Sequence, residues 1–129
     1  MIEHLRLAEP IYWKQLKDAL DAPAVSKKSG ISDADLLRYG IDRANRQKTE
    51  ARKTPRGDSI NTAAGLDAFR RLHNEMIEYA RSNDADLHAH LLGEEGVDTY
   101  QWLLEISAQA MRHILQIREM KLNLGFPRK

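Results

Sequence analysis

Five histidines are the side chains best equipped for chemistry in this chain: His4, His73, His88, His90 and His113. There is no cysteine, which removes disulfides, thiolate nucleophiles and thiolate metal ligands. No two histidines stand in an HExxH or ExxH arrangement, so neither a zincin nor a di-iron carboxylate site is encoded. No glycine-rich loop follows a strand pattern to cradle phosphate, and no nucleophile elbow marks a serine hydrolase. His88 and His90 fall in the polar segment NDADLHAH and are expected at the surface. His113 is different: it lies inside an apolar helical stripe, with Gln109 one turn before it on the same face. His4 sits near the start of another helical segment, so the two imidazoles meet if those helices lie side by side. Two neutral imidazoles alone hold a divalent ion poorly, since a catalytic zinc takes three protein ligands and keeps one open position. An inward histidine is otherwise a satisfied core residue.

Three long helices are predicted to position these groups. The last runs from Asp98 to Phe126. Trp102, Leu103, Ile106, Ala110, His113, Ile114, Ile117, Met120 and Leu124 recur along it at steps of three and four. Asp98 is its predicted N-cap and Gly125 its stop, with Pro127 just beyond. The first long helix spans MIEHLRLAEPIYWKQLKDAL. Ile2, Leu5, Ala8, Tyr12, Leu16 and Ala19 form its stripe, Ile11, Trp13 and Leu20 widen it, and Pro10 predicts a kink or a broken hydrogen bond. The second starts at Thr62 as N-cap and continues to about Ser82, with Leu66, Phe69, Leu72, His73, Met76, Tyr79 and Ala80 facing inward.

Residues 22–61 read as a long solvated crossover holding one short helix, with Ser32 as N-cap and Asp35 three residues on. The segment LLGEEGVD reads as a turn carrying Gly93 and Gly96, and no strand is evident. A short link makes the second and third long helices antiparallel, whereas the crossover lets the first two run the same way. Three helices are thin cover for stripes this wide, so a second copy of the chain is expected to supply the rest.

At 129 residues the chain is one domain, 1–129, of the all-α class. A net charge of +1 gives no electrostatic reason to bind nucleic acid or an acidic membrane. The basic stretch RANRQKTEARKTPRGDSIN interleaves its cations with acids and has no aromatic on which a base could stack. No apolar run reaches the roughly 18 residues of a membrane span, and no charged-then-apolar leader opens the chain, so a cytoplasmic location is expected.

Three segments in order resemble the DinB-like (DinB/YfiT) superfamily. EHLRLAEPIYW is similar to its EHL-x-L-x-E segment. LDAFRRLHNEMIEYARSNDADLHAH followed by DTYQWLLEISAQAMRHILQI is similar to its closing pair of helices, whose last reads YQWLLFxAAHxxRHxxQI. The resemblance implies a four-helix bundle with a long crossover, lacking here the family's first helix, which would precede residue 1, and completed by dimerisation. It also implies a divalent metal, zinc or nickel, bound by a histidine of the EHL segment and two histidines four apart on the last helix. Members include thiol transferases and hydrolases, in which such a metal acts as a Lewis acid or activates water or a thiol.

Carried over residue by residue, His4 matches the first ligand and His113 the last, while Gln109 stands where the middle histidine belongs. An amide oxygen is a weak neutral donor, so the implied metal is held weakly or not at all. His73 is the candidate to substitute for the lost ligand, and Glu9 the candidate to hydrogen-bond a ligand imidazole. Two functions follow: a degenerate metal-dependent enzyme of thiol transferase or hydrolase type acting on a small molecule, or a non-catalytic dimeric helical-bundle module without metal. The resemblance supplies neither a catalytic residue nor an organic cofactor site.

Overall fold

A computed structural model describes residues 2–26, 28–44, 53–57, 61–93 and 96–127. The chain is mostly helical: α1 (Ile2–Asp21), α2 (Asp33–Ile41), α3 (Thr62–Ser82), a hairpin of β1 (Leu91–Leu92) and β2 (Val97–Asp98), and α4 (Thr99–Leu122). None of the described helices is long and apolar enough to cross a membrane.

Of its predicted stripe, α1 buries Leu5, Ala8 and Leu16 and half-buries Tyr12 and Ala19. Trp13 is buried as well, and Trp13 and Leu16 join Met76 of α3 and Ile106 of α4 in one core. Pro10 does not end the helix. It lies on the exposed side, where water can satisfy the Arg6 carbonyl that its missing N–H would have served.

Side-chain pairs fix the helix directions. Glu9 meets His73, and further along both helices Trp13 stacks edge-on against Tyr79, so α1 and α3 run parallel. His4 meets His113 whereas Tyr12 meets Trp102, so α1 and α4 run antiparallel. Both directions follow from the connections, long in the first case and short between α3 and α4.

The crossover contributes more than the sequence suggested. Ser32 does cap α2, accepting from the Asp35 N–H. But α2 then packs along α4 instead of standing in solvent, burying Leu36. Gln101 of α4 donates to the Ile31 carbonyl and to Asp33, and the buried Arg112 donates to the Asp42 carbonyl at the other end. Between these ties Gly40 faces Ala108 so closely that a Cβ at position 40 would lie 2.6 Å from the Ala108 Cβ. Gly40→Ala should therefore cost about 1–3 kcal/mol, as overpacking does. Adding Ala108→Gly should recover part of that loss in a chemical melt, whereas a Gly40→Ala protein as stable as the parent would place α2 elsewhere.

Part of the cover on α4 thus comes from the chain itself, as the nine residues of α2. Of the remaining crossover, residues 45–52 and 58–60 of the predicted solvated stretch lie outside the described residues. Lys53, in contrast, is buried.

Three boundaries differ from expectation. The N-cap of α3 is Asn61, whose side chain accepts from the Ala63 N–H, and Thr62 is already helical. The expected turn at Gly93 and Gly96 carries positive φ at both glycines, but it closes a two-residue antiparallel ladder too short to show alternation in sequence. α4 begins as predicted, with Asp98 and Gln101 forming a reciprocal capping box. It ends at Leu122, because Asn123 turns extended and Gly125 does not adopt the left-handed conformation of a glycine stop.

The stripe of α4 is split by this arrangement. Ile106 is buried and Trp102, Leu103, Ala110 and His113 are partly so, whereas Ile114, Ile117, Met120 and Leu124 are exposed. The buried residues on its other side are Gln101, Ala108 and Arg112, which face α2. Antiparallel packing sets His113 opposite His4 near the start of α1, so the later turns of α4 extend beyond that neighbour. On α3, likewise, Leu66 and Ala80 of the predicted inner stripe are exposed.

Candidate functional site

His4 and His113 come together from opposite ends of the chain. Their ring centroids are 5.0 Å apart at an interplanar angle of 69°. His4 Nδ1–H donates to the Lys53 carbonyl oxygen at 2.8 Å. A carbonyl can only accept, so neutral His4 carries its proton on Nδ1 and its lone pair on Nε2. One turn beyond His113, Gln116 Oε1 accepts from His113 Nδ1–H at 2.7 Å, which selects the same tautomer. Burial pushes the His113 pKa down; the Gln116 bond opposes that shift and the neighbouring His4 adds to it. Both rings can therefore present an Nε2 lone pair, with Nδ1–H held by an outer acceptor, which is the form in which histidine binds metal.

Gln109 follows the helical spacing, one turn before His113, but makes no hydrogen bond with either imidazole. It lines a small cleft with Tyr12, Trp102, Glu105 and Ile106. His73 does not move in as a ligand. Its Nε2–H donates to the buried carboxylate of Glu9 at 2.8 Å, and its ring lies over Phe69. Glu9 thus binds His73 and not a ligand imidazole, although its charge still favours protonation of His113. The other two histidines are remote and structural. His88 donates to the N-cap carboxylate of Asp98, and His90 to the Ala22 carbonyl.

Among the described residues no three histidine, aspartate or glutamate side chains converge on a point that could hold an ion. The donor set is two imidazoles and, at best, one amide oxygen. It does not fit a catalytic zinc centre with three strong protein ligands.

Sequence reasoning missed two residues, Gln116 and Lys53, and one pairing. Gln116 was findable, since it lies three residues after His113 on the same face. The Glu9–His73 pair joins two residues considered separately, and only the parallel packing of α1 on α3 shows them as partners. Lys53 carried no signal at all, because a lysine in a basic loop looks solvated.

The Glu9–His73 pair gives a pH dependence with a definite sign. The hydrogen bond to Glu9 raises the His73 pKa above 6.5, against the opposing effect of burial. The folded state then holds this proton more tightly than the unfolded chain does. Its stabilisation is complete below about pH 6.5 and is lost as pH rises through the raised value. His113 has the opposite sign: with its pKa lowered, folding loses stability as pH falls below 6.5. His73→Gln should flatten the decline in melting temperature above pH 6.5 and leave the acid side unchanged. An unaltered alkaline decline would show that the pair contributes nothing.

Comparison with family models, with curated proteins and with solved structures finds no match for this chain.

Proposed function

We propose that the chain is a DinB-like helical protein, cytoplasmic and homodimeric. Its His4–His113 pair, flanked by Gln109, is a degenerate divalent-metal site of an enzyme of thiol transferase or hydrolase type acting on a small molecule. One observation carries this reading: two imidazoles 109 positions apart in sequence touch, and each has its Nδ1–H engaged by an acceptor so that Nε2 is the basic nitrogen. The parallel α1–α3 pair across a long crossover, and the antiparallel closing helix, agree with the bundle that the resemblance implies. The expected affinity is low, because the third donor is an amide.

A second reading is favoured by the same hydrogen bonds seen differently. Lys53 and Gln116 already satisfy the two Nδ1–H groups, so the pair also suits a metal-free, non-catalytic dimeric module. Calorimetric titration of untagged protein with zinc and with nickel separates the two. The metal site predicts weak one-to-one binding that His4→Ala and His113→Ala each abolish. Absence of binding, or binding indifferent to both substitutions, selects the inert module.

Dimerisation draws support from Met111, Ile114, Ile117 and Met120, an exposed apolar face on the later turns of α4. Light scattering should give twice the mass of one chain, and a monomer at high concentration would refute it.

A further inference from the structure

We propose that His88 and Asp98 form a general-base dyad that hydrolyses a small ester, in a cleft separate from the His4–His113 pair. The proposal does not rest on the metal reading. It starts from a cavity of about 600 Å³ between the segment that follows α1 and the start of α4, a size typical of small-molecule sites. Ser26, Lys28 and Ser29 of that segment line it together with His88, Asp98 and Gln101.

The bond that ties His88 to the α4 N-cap also orients the imidazole for chemistry. Asp98 is buried, and its two oxygens have separate partners. Oδ1 accepts from the Gln101 N–H at 2.7 Å, and Oδ2 accepts from His88 Nδ1–H at 2.9 Å. An ionised carboxylate only accepts, so neutral His88 carries its proton on Nδ1 and its lone pair on Nε2. Nε2 has no partner among the described residues, and the side chain is 62% exposed, so water and substrate can reach it.

The backbone around His88 is held from both sides. The Leu87 carbonyl accepts from Thr99 Oγ1–H and from the Tyr100 N–H, the Ala89 carbonyl from the Val25 N–H, and the His90 carbonyl from the Thr99 N–H. The imidazole also packs on the Tyr100 ring, with 4.8 Å between centroids. A base oriented by a buried carboxylate on a pinned segment meets the geometric demand of general-base catalysis.

The step balances with water as the sole co-reactant. His88 Nε2 takes a proton from water as the water oxygen bonds to the acyl carbon. The C–O bond to the leaving alcohol then breaks, and His88 returns the proton to that alcohol, which leaves the free acid. The Lys28 ammonium lines the same cleft and has no ion-pair partner among the described residues, so it favours the oxyanion that develops. The Asp98 bond raises the His88 pKa above 6.5, slight burial opposes it, and the charges of Asp98, Asp86 and Asp33 add to it. Hydrolysis should therefore rise with pH through that raised value, as the basic form of His88 accumulates.

Hydrolysis of p-nitrophenyl acetate by the full chain, in EDTA so that no metal contributes, tests this. The parent should be faster than free imidazole at equal concentration, with a pH inflection above 6.5. His88→Gln should lower the rate at least about tenfold. Asp98→Asn keeps a good N-cap. Its one oxygen serves the Gln101 N–H, its NH2 meets His88 Nδ1, and the ring proton moves to Nε2, so this variant should be as slow as His88→Gln. His90→Gln should match the parent. A parent no faster than imidazole, or a folded His88→Gln or Asp98→Asn as fast as the parent, would overturn the dyad.

Discussion

If the His4–His113 pair is the proposed metal site, Gln109→His should convert weak binding of zinc into tight binding. The substitution puts a third imidazole one turn before His113 on the same helix. The replaced side chain already occupies space beside Tyr12 and Trp102, so an imidazole needs little new room. Two neutral donors become three, the number a catalytic zinc takes from protein. Altering a group that merely holds a ligand changes metal affinity by about 10–100-fold; supplying the ligand itself should gain at least about 100-fold. Removing His4 or His113 from the Gln109→His protein should return affinity to the parental level. A folded variant that binds zinc no better than the parent would mean that position 109 does not face the pair.

The second large effect is on stability, and it compares two isoleucines on one helix. Ile106 is 5% exposed and packs with Trp13, Leu16 and Met76. Ile106→Ala leaves a cavity among side chains from three helices and should cost about 2–5 kcal/mol. Ile114 is two turns further along the same sequence stripe, yet it is 44% exposed. Ile114→Ala should change the stability of the isolated chain by about 0.5 kcal/mol or less. Its effect should grow with protein concentration if this face is covered in the dimer. Equal losses at the two sites in a dilute urea melt would contradict the split face of α4.

That split marks how far the sequence could be read. The period of α4 was plain, and so were its cap at Asp98, the stripe of α1 and the Ser32 cap of α2. Each rests on interactions within a few residues, where spacing alone decides geometry. What periodicity cannot say is which part of a stripe has a partner. Ile106 and Ile114 look alike in sequence, and only packing against α1 and α3, which Ile106 has, separates them. The α2–α4 contact escaped because Gly40 and Ala108 are too small to register as apolar signal, and Arg112 buries a charged side chain by reaching a carbonyl.

The site divides in the same way. His4 and His113 were legible as a pair through the resemblance, and Gln109 as a departure from it. Lys53 was not, since its burial comes from long-range contacts, its carbonyl to His4 and its ammonium over Tyr12, that leave no local pattern. Glu9 and His73 were each noticed, but a partnership between helices 64 positions apart has no local signature.

The whole account depends on imidazoles from the first and last helices sharing one small volume. Crystals grown with zinc, measured across the zinc absorption edge, test that directly. The predicted result is an anomalous peak about 2.0–2.1 Å from Nε2 of both His4 and His113, with Nδ1 of His4 still bound to the Lys53 carbonyl. Rings that point apart into solvent, or a peak that touches neither, would contradict it.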